Sequence, residues 1–328
     1  MAPAIKKLCI FNHKGGVGKT TLTVNIAAAL SLLRKKVLLV DSDPQCNLTS
    51  YLFEDSVVDD LLEKSDTLSG ETLWSALKPI VEARGKRKEI PFYETSISGV
   101  FLLPGDIRLS EYELELNEYW TACFQRKVRG FDGTASLSAL VSEYAHDSGA
   151  EYVFYDTGPN IGPLNRVILL DCDYFIIPGA CDLFSVRALK TLGHTLASWI
   201  QNWETLSRLA PDETDILKGK PRFLGYIPQG FRVYGHGMAR RASIYRSRFE
   251  KQLRANIISP LRAIDSNLAP AQLSEAKIGE VKDFLNLVQA SQLEGVPFWE
   301  TSGTPPYQRE EAREAFLHIA QNIIGKTQ

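Results

Sequence analysis

No stretch of this 328-residue chain approaches the roughly 20 consecutive apolar residues that a membrane-spanning helix requires. Cysteine is sparse: Cys9, Cys46, Cys123, Cys172 and Cys181 are scattered, odd in number and include no Cys-x-x-Cys pair. That argues against a disulfide framework and for free thiols in a reducing compartment, so a cytoplasmic address is expected. Basic residues 6 and 7 lead into only a few apolar residues, which does not resemble a secretion signal. Charge of one sign is also missing, because the net charge is −2 with 23% charged residues. No overall field draws the chain to nucleic acid or acidic lipid, and any such contact has to be local. Internal repeats, low-complexity tracts and clear linkers are absent as well. The polar segments "ARGKRKE" (83–89) and "APDETDILKGKP" (210–221) are expected to be surface loops.

What the chain does have is a glycine-rich turn between two apolar segments. "KLCIF" (7–11) is rich in strand formers, and "GKTTLTVNIAAALSLL" (18–33) places Leu22, Ile26, Ala29, Leu30 and Leu33 at helical spacing. Between them runs "NHKGGVGK". Strand, glycine loop and helix in this order point to a phosphate-binding loop. Gly15, Gly16 and Gly18 let the backbone turn its N–H groups toward phosphate at the positive end of a helix. Lys19 can then reach the β- and γ-phosphates, with the Thr20 hydroxyl placed for Mg²⁺. The run Gly15, Gly16, Val17, Gly18, Lys19, Thr20 and Thr21 is the expected nucleotide contact.

The usual spacing G-x-x-x-x-G-K-[ST] would put glycine at position 13, where this chain has His13. The variant K-G-G-x-G-K-[ST]-[ST] fits instead, and it resembles the deviant Walker A loop of the ParA/MinD family of P-loop ATPases. The resemblance implies an α/β P-loop NTPase fold with a mainly parallel central sheet flanked by helices. It implies ATP and Mg²⁺ as cofactors and a homodimer that sandwiches ATP. Lys14 matches the family's signature lysine, which crosses that dimer to contact the partner's nucleotide. A solvated surface lysine is the competing role.

Two further segments carry candidate carboxylates. "VLLVDSDPQ" (37–45) is an apolar run that ends in Asp41 and Asp43, as a doubly buried parallel strand would at the mouth of a sheet. It resembles the family's D-x-D-P-Q stretch, which implies that Asp43 orients the attacking water and Asp41 supports the metal shell. A turn or helix cap is the alternative for both. Cys46 stands where many relatives have a small residue such as glycine. "EYVFYDTGPN" (151–160) resembles a Walker B strand, and Asp156 would bind the Mg²⁺ shell. Many relatives have two prolines after this aspartate, where this chain has Gly158 and Pro159. "DYFIIPGACDLFSVRAL" (173–189) is expected to form strand, loop and helix, and "RFLGYIP" (222–228) another strand. A single domain over 1–328 is expected, with the resemblance strongest over 6–53 and 150–190.

Features of the chain separate the jobs found in such a family. No cysteine pair suits a shared iron–sulfur cluster. The C-terminal "EEAREAFLHIAQNIIGK" puts Ala312, Phe316, Ile319, Ala320 and Ile323 near one face, but its polar face is poor in Lys and Arg. A docked core helix, not a membrane-surface helix, is expected. The phosphate loop starts at residue 13, so an attached helix-turn-helix domain ahead of it is not expected. Neither N-K-x-D nor T-K-x-D occurs, so ATP is favoured over GTP. "GFRVYGHGMARRASIYRSRFEKQLR" (230–254) has seven Lys or Arg and one acid, a local charge of +6 against −8 elsewhere. At helical spacing Arg240, Arg241, Arg248, Lys251 and Arg254 share one face, opposite Ala242, Tyr245, Phe249 and Leu253, while Ile244 and Arg246 break the pattern. Two roles fit the stripe: a contact with non-specific DNA, or a solvated face paired with acids. The expected protein is a partition-type (ParA/Soj-like) ATPase, cytoplasmic or at the nucleoid, stimulated by a partner protein. A switch that recruits a protein effector and a MinD-like membrane regulator are the rivals.

Overall fold

The computed structural model describes residues 4–180, 183–231, 236–282 and 284–328. Side chains of residues 180, 183–184, 230–231, 236–243 and 285 lie outside the described set, and with them those of Arg240, Arg241 and Ala242. Eight strands form one sheet: β1 (Lys6–Ile10), β2 (Val37–Asp41), β3 (Tyr93–Glu94), β4 (Val100–Leu103), β5 (Tyr152–Asp156), β6 (Tyr174–Ala180), β7 (Arg222–Phe231) and β8 (Val281–Lys282). Their order is β3-β4-β2-β5-β1-β6-β7-β8. Only the short β3 runs antiparallel to its neighbour. All other pairs are parallel.

β2, β4 and β5 are buried along their whole length, which is why they read as continuous apolar runs and not as alternating patterns. In chain order the helices are α1 (Lys19–Leu32), α2 (Asn47–Leu52), α3 (Asp55–Lys64), α4 (Leu73–Val81), α5 (Leu109–Phe124), α6 (Val128–Asp147), α7 (Pro163–Asp171), α8 (Leu183–Ser207), α9 (His236–Leu253), α10 (Ser259–Ile264), α11 (Leu285–Glu294) and α12 (Pro306–Thr327). Side chains alternate across each strand, so Cys9, Leu38 and Val40 join the core built with α4 to α10. Leu8, Ile10, Val37 and Leu39 join the opposite core, built with α1, α2, α11 and α12.

The expected elements appear with small shifts. The helix after the glycine loop begins at Lys19, and the strand expected at 222–228 continues to Phe231. β3 and β8 were not legible because each is two residues long, and the four-residue β4, although bounded by Ser98-Gly99 and Pro104-Gly105, was not singled out. α12 starts at Pro306, ahead of the segment quoted above, and buries Ala312, Phe316, Ile319, Ala320 and Ile323. The docked reading of this helix therefore holds. Among the described residues no helix is long and apolar enough to cross a membrane.

Candidate nucleotide site

All parallel strands point their carboxyl ends to one edge, and there the loop after β1 closes on the N-terminus of α1. Gly16 and Gly18 adopt φ of +69° and +70°, a left-handed conformation that costs an L-residue about 1–2 kcal/mol. Gly18 is the cap residue of α1, so the unpaired N–H groups of the first turn face the loop. The entire run from Gly15 to Thr21 lines one cavity of about 580 Å³, which Asp43, Gln45, Asn47 and Tyr51 also border. Lys19 is 92% buried. Burial lowers its pKa, and the nearby Asp156 and Asp43 carboxylates offset that only in part. An ammonium held this way gains most from a phosphate that restores its counter-charge.

Thr20 and Asp156, each assigned to the metal shell from the sequence, are in contact: the threonine Oγ1 donates to Asp156 Oδ2 at 2.7 Å. Asp156 is fully buried and its Oδ1 has no protein partner. Desolvation pushes its pKa up to about 7. Asp41, its register neighbour on β2, is buried and does not line the cavity. Asp41 Oδ2 accepts from the Thr49 amide (2.7 Å) and hydroxyl (2.6 Å), while Oδ1 is unpartnered. Burial, followed by the Asp156 charge, raises its pKa to about 8. Two orphaned hard oxygens on buried carboxylates, next to a hydroxyl, are a donor set that suits Mg²⁺. Among the described residues no cluster of three or more His, Cys, Asp or Glu could hold a metal, so phosphate and water would have to complete the shell.

Asp43 borders the cavity itself. Its Oδ1 accepts from the Gln45 amide at 3.0 Å and its Oδ2 from Asn47 Nδ2 at 3.5 Å, a turn that leads into α2. Cys46, the residue before α2, has φ of +53°, so the glycine of many relatives would relieve a left-handed backbone here. Lys14 is not part of the cavity wall. Its amide donates to Asn12 Oδ1 at 3.1 Å, and its Nζ lies 3.5 Å from Ser185 Oγ on α8. The two lysines of the loop therefore occupy different places, one inside and one outside.

Several contributors escaped the sequence. Asn165 of α7 donates to the carbonyls of Gly158 and Asn160, both at 3.0 Å, and to Asn160 Oδ1 at 2.7 Å, which ties down the loop after β5. Gly158 permits the approach of Asp43, whose Oδ1 would lie 3.1 Å from a Cβ there. Thr49 passes the Asp41 bond on to the Gly105 amide at 2.9 Å. Gln229 of β7 touches the glycine loop. None of these carries a local motif: the contacts of Gln229, of Gly158 with Asp43 and of Thr49 with Gly105 join distant parts of the chain, and those of Asn165 and of Thr49 with Asp41 follow no helical or strand period.

On α9, Phe249 and Leu253 are buried in the core, as the helical spacing predicts. Arg248 and Lys251 of α9, and Arg254 in the π-helical turn that follows it, are exposed and form no ion pair among the described residues. Arg246 turns inward, to Glu250 at 3.3 Å and Glu280 at 3.2 Å, which accounts for its break in the stripe. The side chains of Arg240 and Arg241 lie outside the described residues.

A glycine loop closing on a helix N-terminus, beside a parallel sheet, with a helix threonine bonded to a strand aspartate, defines a P-loop nucleotide-binding protein. Residues 5–207 match the family model described as an AAA domain, more than half of the chain. The chain belongs to the ParA/MinD family of P-loop ATPases. It is 31% identical over 192 residues to the chromosome partitioning protein ParA of Myxococcus xanthus, covering 58% of this chain and 57% of that protein. It is also 31% identical over 197 residues to the sporulation initiation inhibitor protein Soj of Bacillus subtilis, covering 58% and 64%. The match thus spans less than two thirds of either relative. In fold it is similar to a Corynebacterium diphtheriae protein of known structure, with a TM-score of 0.72 at 24% identity over 98% of both chains. It is similar, too, to pNOB8 ParA bound to nonspecific DNA, with a TM-score of 0.54 at 20% identity over 98% of both.

Proposed function

We propose that this protein is an ATPase that dimerises around ATP, binds non-specific DNA in that state and releases it after hydrolysis. Such a cycle would segregate or position a plasmid, a chromosome region or another cargo, with a partner protein stimulating hydrolysis. The observation that carries this reading is the separation of the loop's two lysines. Lys19 lines the cavity, whereas Lys14 lies outside its wall with its Nζ 3.5 Å from Ser185 Oγ, and a nucleotide on a second subunit would draw it across. The names of the partitioning relatives, and the DNA-bound pNOB8 ParA, support the DNA part.

In this mechanism the loop amides and Lys19 orient the triphosphate and offset its charge. Thr20 and Asp156 hold the Mg²⁺ shell, and Mg²⁺ when bound would neutralise charge on the phosphates. Asp43, bordering the cavity, orients the attacking water. Asp41, beside Asp156 in the sheet, keeps the β2 end rigid through Thr49. Gln45 and Asn47 hold the Asp43 carboxylate in place.

The experiment is a titration of the ATP-loaded protein with random-sequence duplex DNA and, in parallel, with anionic liposomes. DNA binding is expected to weaken steeply with salt and to ignore sequence. Arg248→Glu together with Lys251→Glu should weaken it across all sequences. Each lost phosphate contact should flatten the slope of log K against log salt by about 0.9. Parent protein that binds no DNA at low salt would favour the effector-recruiting switch, a reading to which the internal pairing of Arg246 lends weight. Binding to liposomes alone would favour the membrane regulator.

A further inference from the structure

A second hollow, of about 270 Å³, lies at the other edge of the sheet, where β6 and β7 begin. The nucleotide cavity borders the carboxyl ends of these parallel strands, so the length of β6, seven residues or about 20 Å, separates the two. Three cations line the second hollow, Arg222 of β7, Arg262 of α10 and Lys326 of α12, and no carboxylate does. None of the three forms an ion pair among the described residues. Each is instead held by main-chain oxygen. Arg222 Nε donates to the Asn267 carbonyl at 3.1 Å, with its guanidinium over the Tyr174 ring at 5.3 Å. Arg262 Nη1 donates to the carbonyls of Ser266 (2.8 Å) and Ala269 (2.9 Å), and Lys326 donates to the Glu275 carbonyl.

Asp265, which closely follows Arg262, and Glu275, whose carbonyl takes the Lys326 bond, have side chains engaged elsewhere. Asp265 Oδ1 accepts from the Asn267 amide at 2.9 Å and its other oxygen faces Lys220 at 4.0 Å. Glu275 Oε2 accepts from the Gln272 amide at 3.3 Å. Carbonyl bonds fix the direction of the cations without cancelling their charge, and like charges around one hollow repel. An anion relieves that repulsion. Two guanidinium forks and an ammonium offer more charge and more donors than one carboxylate can use, whereas a phosphate group presents several oxygens to such forks.

We propose that this hollow is a second phosphate-binding site, distinct from the nucleotide cavity, for a phosphate group carried either by a small ligand or by a nucleic-acid backbone. The site does not depend on the DNA reading above.

Two arms of one experiment test it, on the full chain with ADP and Mg²⁺ or ATP and Mg²⁺ filling the nucleotide cavity. In the first, inorganic phosphate is titrated against chloride at constant ionic strength and the melting temperature is followed, since a ligand of the folded state raises it. In the second, a random-sequence duplex is titrated. Arg222→Gln with Arg262→Gln should abolish the phosphate-dependent rise or weaken duplex binding at least tenfold, and Arg222→Lys with Arg262→Lys should restore part of it. A response in the phosphate arm alone identifies a small ligand as the source, and one in the duplex arm alone a backbone. Should the double variant not fold, Lys326→Gln, which gives up a single carbonyl bond, is expected to weaken the responding arm several-fold. Parent and variants that behave alike in both arms overturn the proposal.

Discussion

Gln229 of β7 is packed against Gly18 of the phosphate loop. Its Nε2 donates to the Val17 carbonyl at 2.7 Å, and a Cβ on Gly18 would come within 2.7 Å of its Oε1. The glycine is thus needed twice, for its φ of +70° and for this contact. Gly18→Ala should lower ATP affinity at least tenfold: the backbone strain is about 1–2 kcal/mol, and moving the glutamine aside forfeits the Val17 bond. Gln229→Ala removes one hydrogen bond of about 1 kcal/mol and should raise the Kd for ATP about fivefold. Titration with a fluorescent ATP analogue measures both, and an unchanged Kd for Gln229→Ala would show that β7 does not brace the loop.

Lys19 and Asp43 should separate binding from chemistry. Lys19→Ala should abolish nucleotide binding, because the phosphates lose the buried ammonium that faces them. Asp43→Ala should keep ATP bound while hydrolysis falls by about 100-fold or more, the range expected when a group acting on the attacking water is lost. Parent-rate hydrolysis by Asp43→Ala would remove it from the reaction.

For Lys14 the expectation is a defect in assembly. Lys14→Ala should bind ATP nearly as the parent does, since Lys14 does not line the cavity. It should fail to form the ATP-dependent dimer. Sedimentation with a non-hydrolysable ATP analogue decides this, and a normal dimer would confine Lys14 to its own subunit.

The buried carboxylates predict a pH dependence of definite sign. Burial raises Asp156 to about 7 and Asp41 to about 8, whereas an unfolded aspartate titrates near 3.9. Between these values the folded protein holds protons that the unfolded chain has released. The stability these groups contribute is therefore complete below pH ~4 and is lost as pH rises through ~7 to 8. Nucleotide- and metal-free protein should lose stability from pH 5 to pH 8, and Asp156→Asn should lose less across the same interval. Mg²⁺ requires the carboxylate form, so its binding with ADP should strengthen with rising pH and release protons. Calorimetry in two buffers of different ionisation enthalpy counts those protons, and equal proton release by parent and Asp156→Asn would contradict the assignment.

How much of this was legible follows from how far apart the interacting residues lie. The glycine loop, Lys19, Thr20 and the first turn of α1 form a contiguous run in which spacing alone dictates strand, turn and helix. The buried face of α12 was legible for the same reason, because Phe316, Ile319 and Ile323 obey one local period. Asp43 and Asp156 could be named because each ends an apolar run. Their partners could not: Asn165 clamps Gly158 from the next helix, Thr49 holds Asp41 from across a turn, and Gln229 reaches the loop from a strand more than 200 residues away. Arg246 shows the same limit, since helical spacing puts it out of line with the stripe but only the approach of Glu280 explains where it points. The sequence by itself determined the backbone conformations and the chemical groups that a phosphate demands, through short-range sterics and periodicity. Tertiary structure alone decided which oxygens are buried without partners and which cations stand without carboxylates, because burial and charge balance depend on side chains that only the packed sheet brings together.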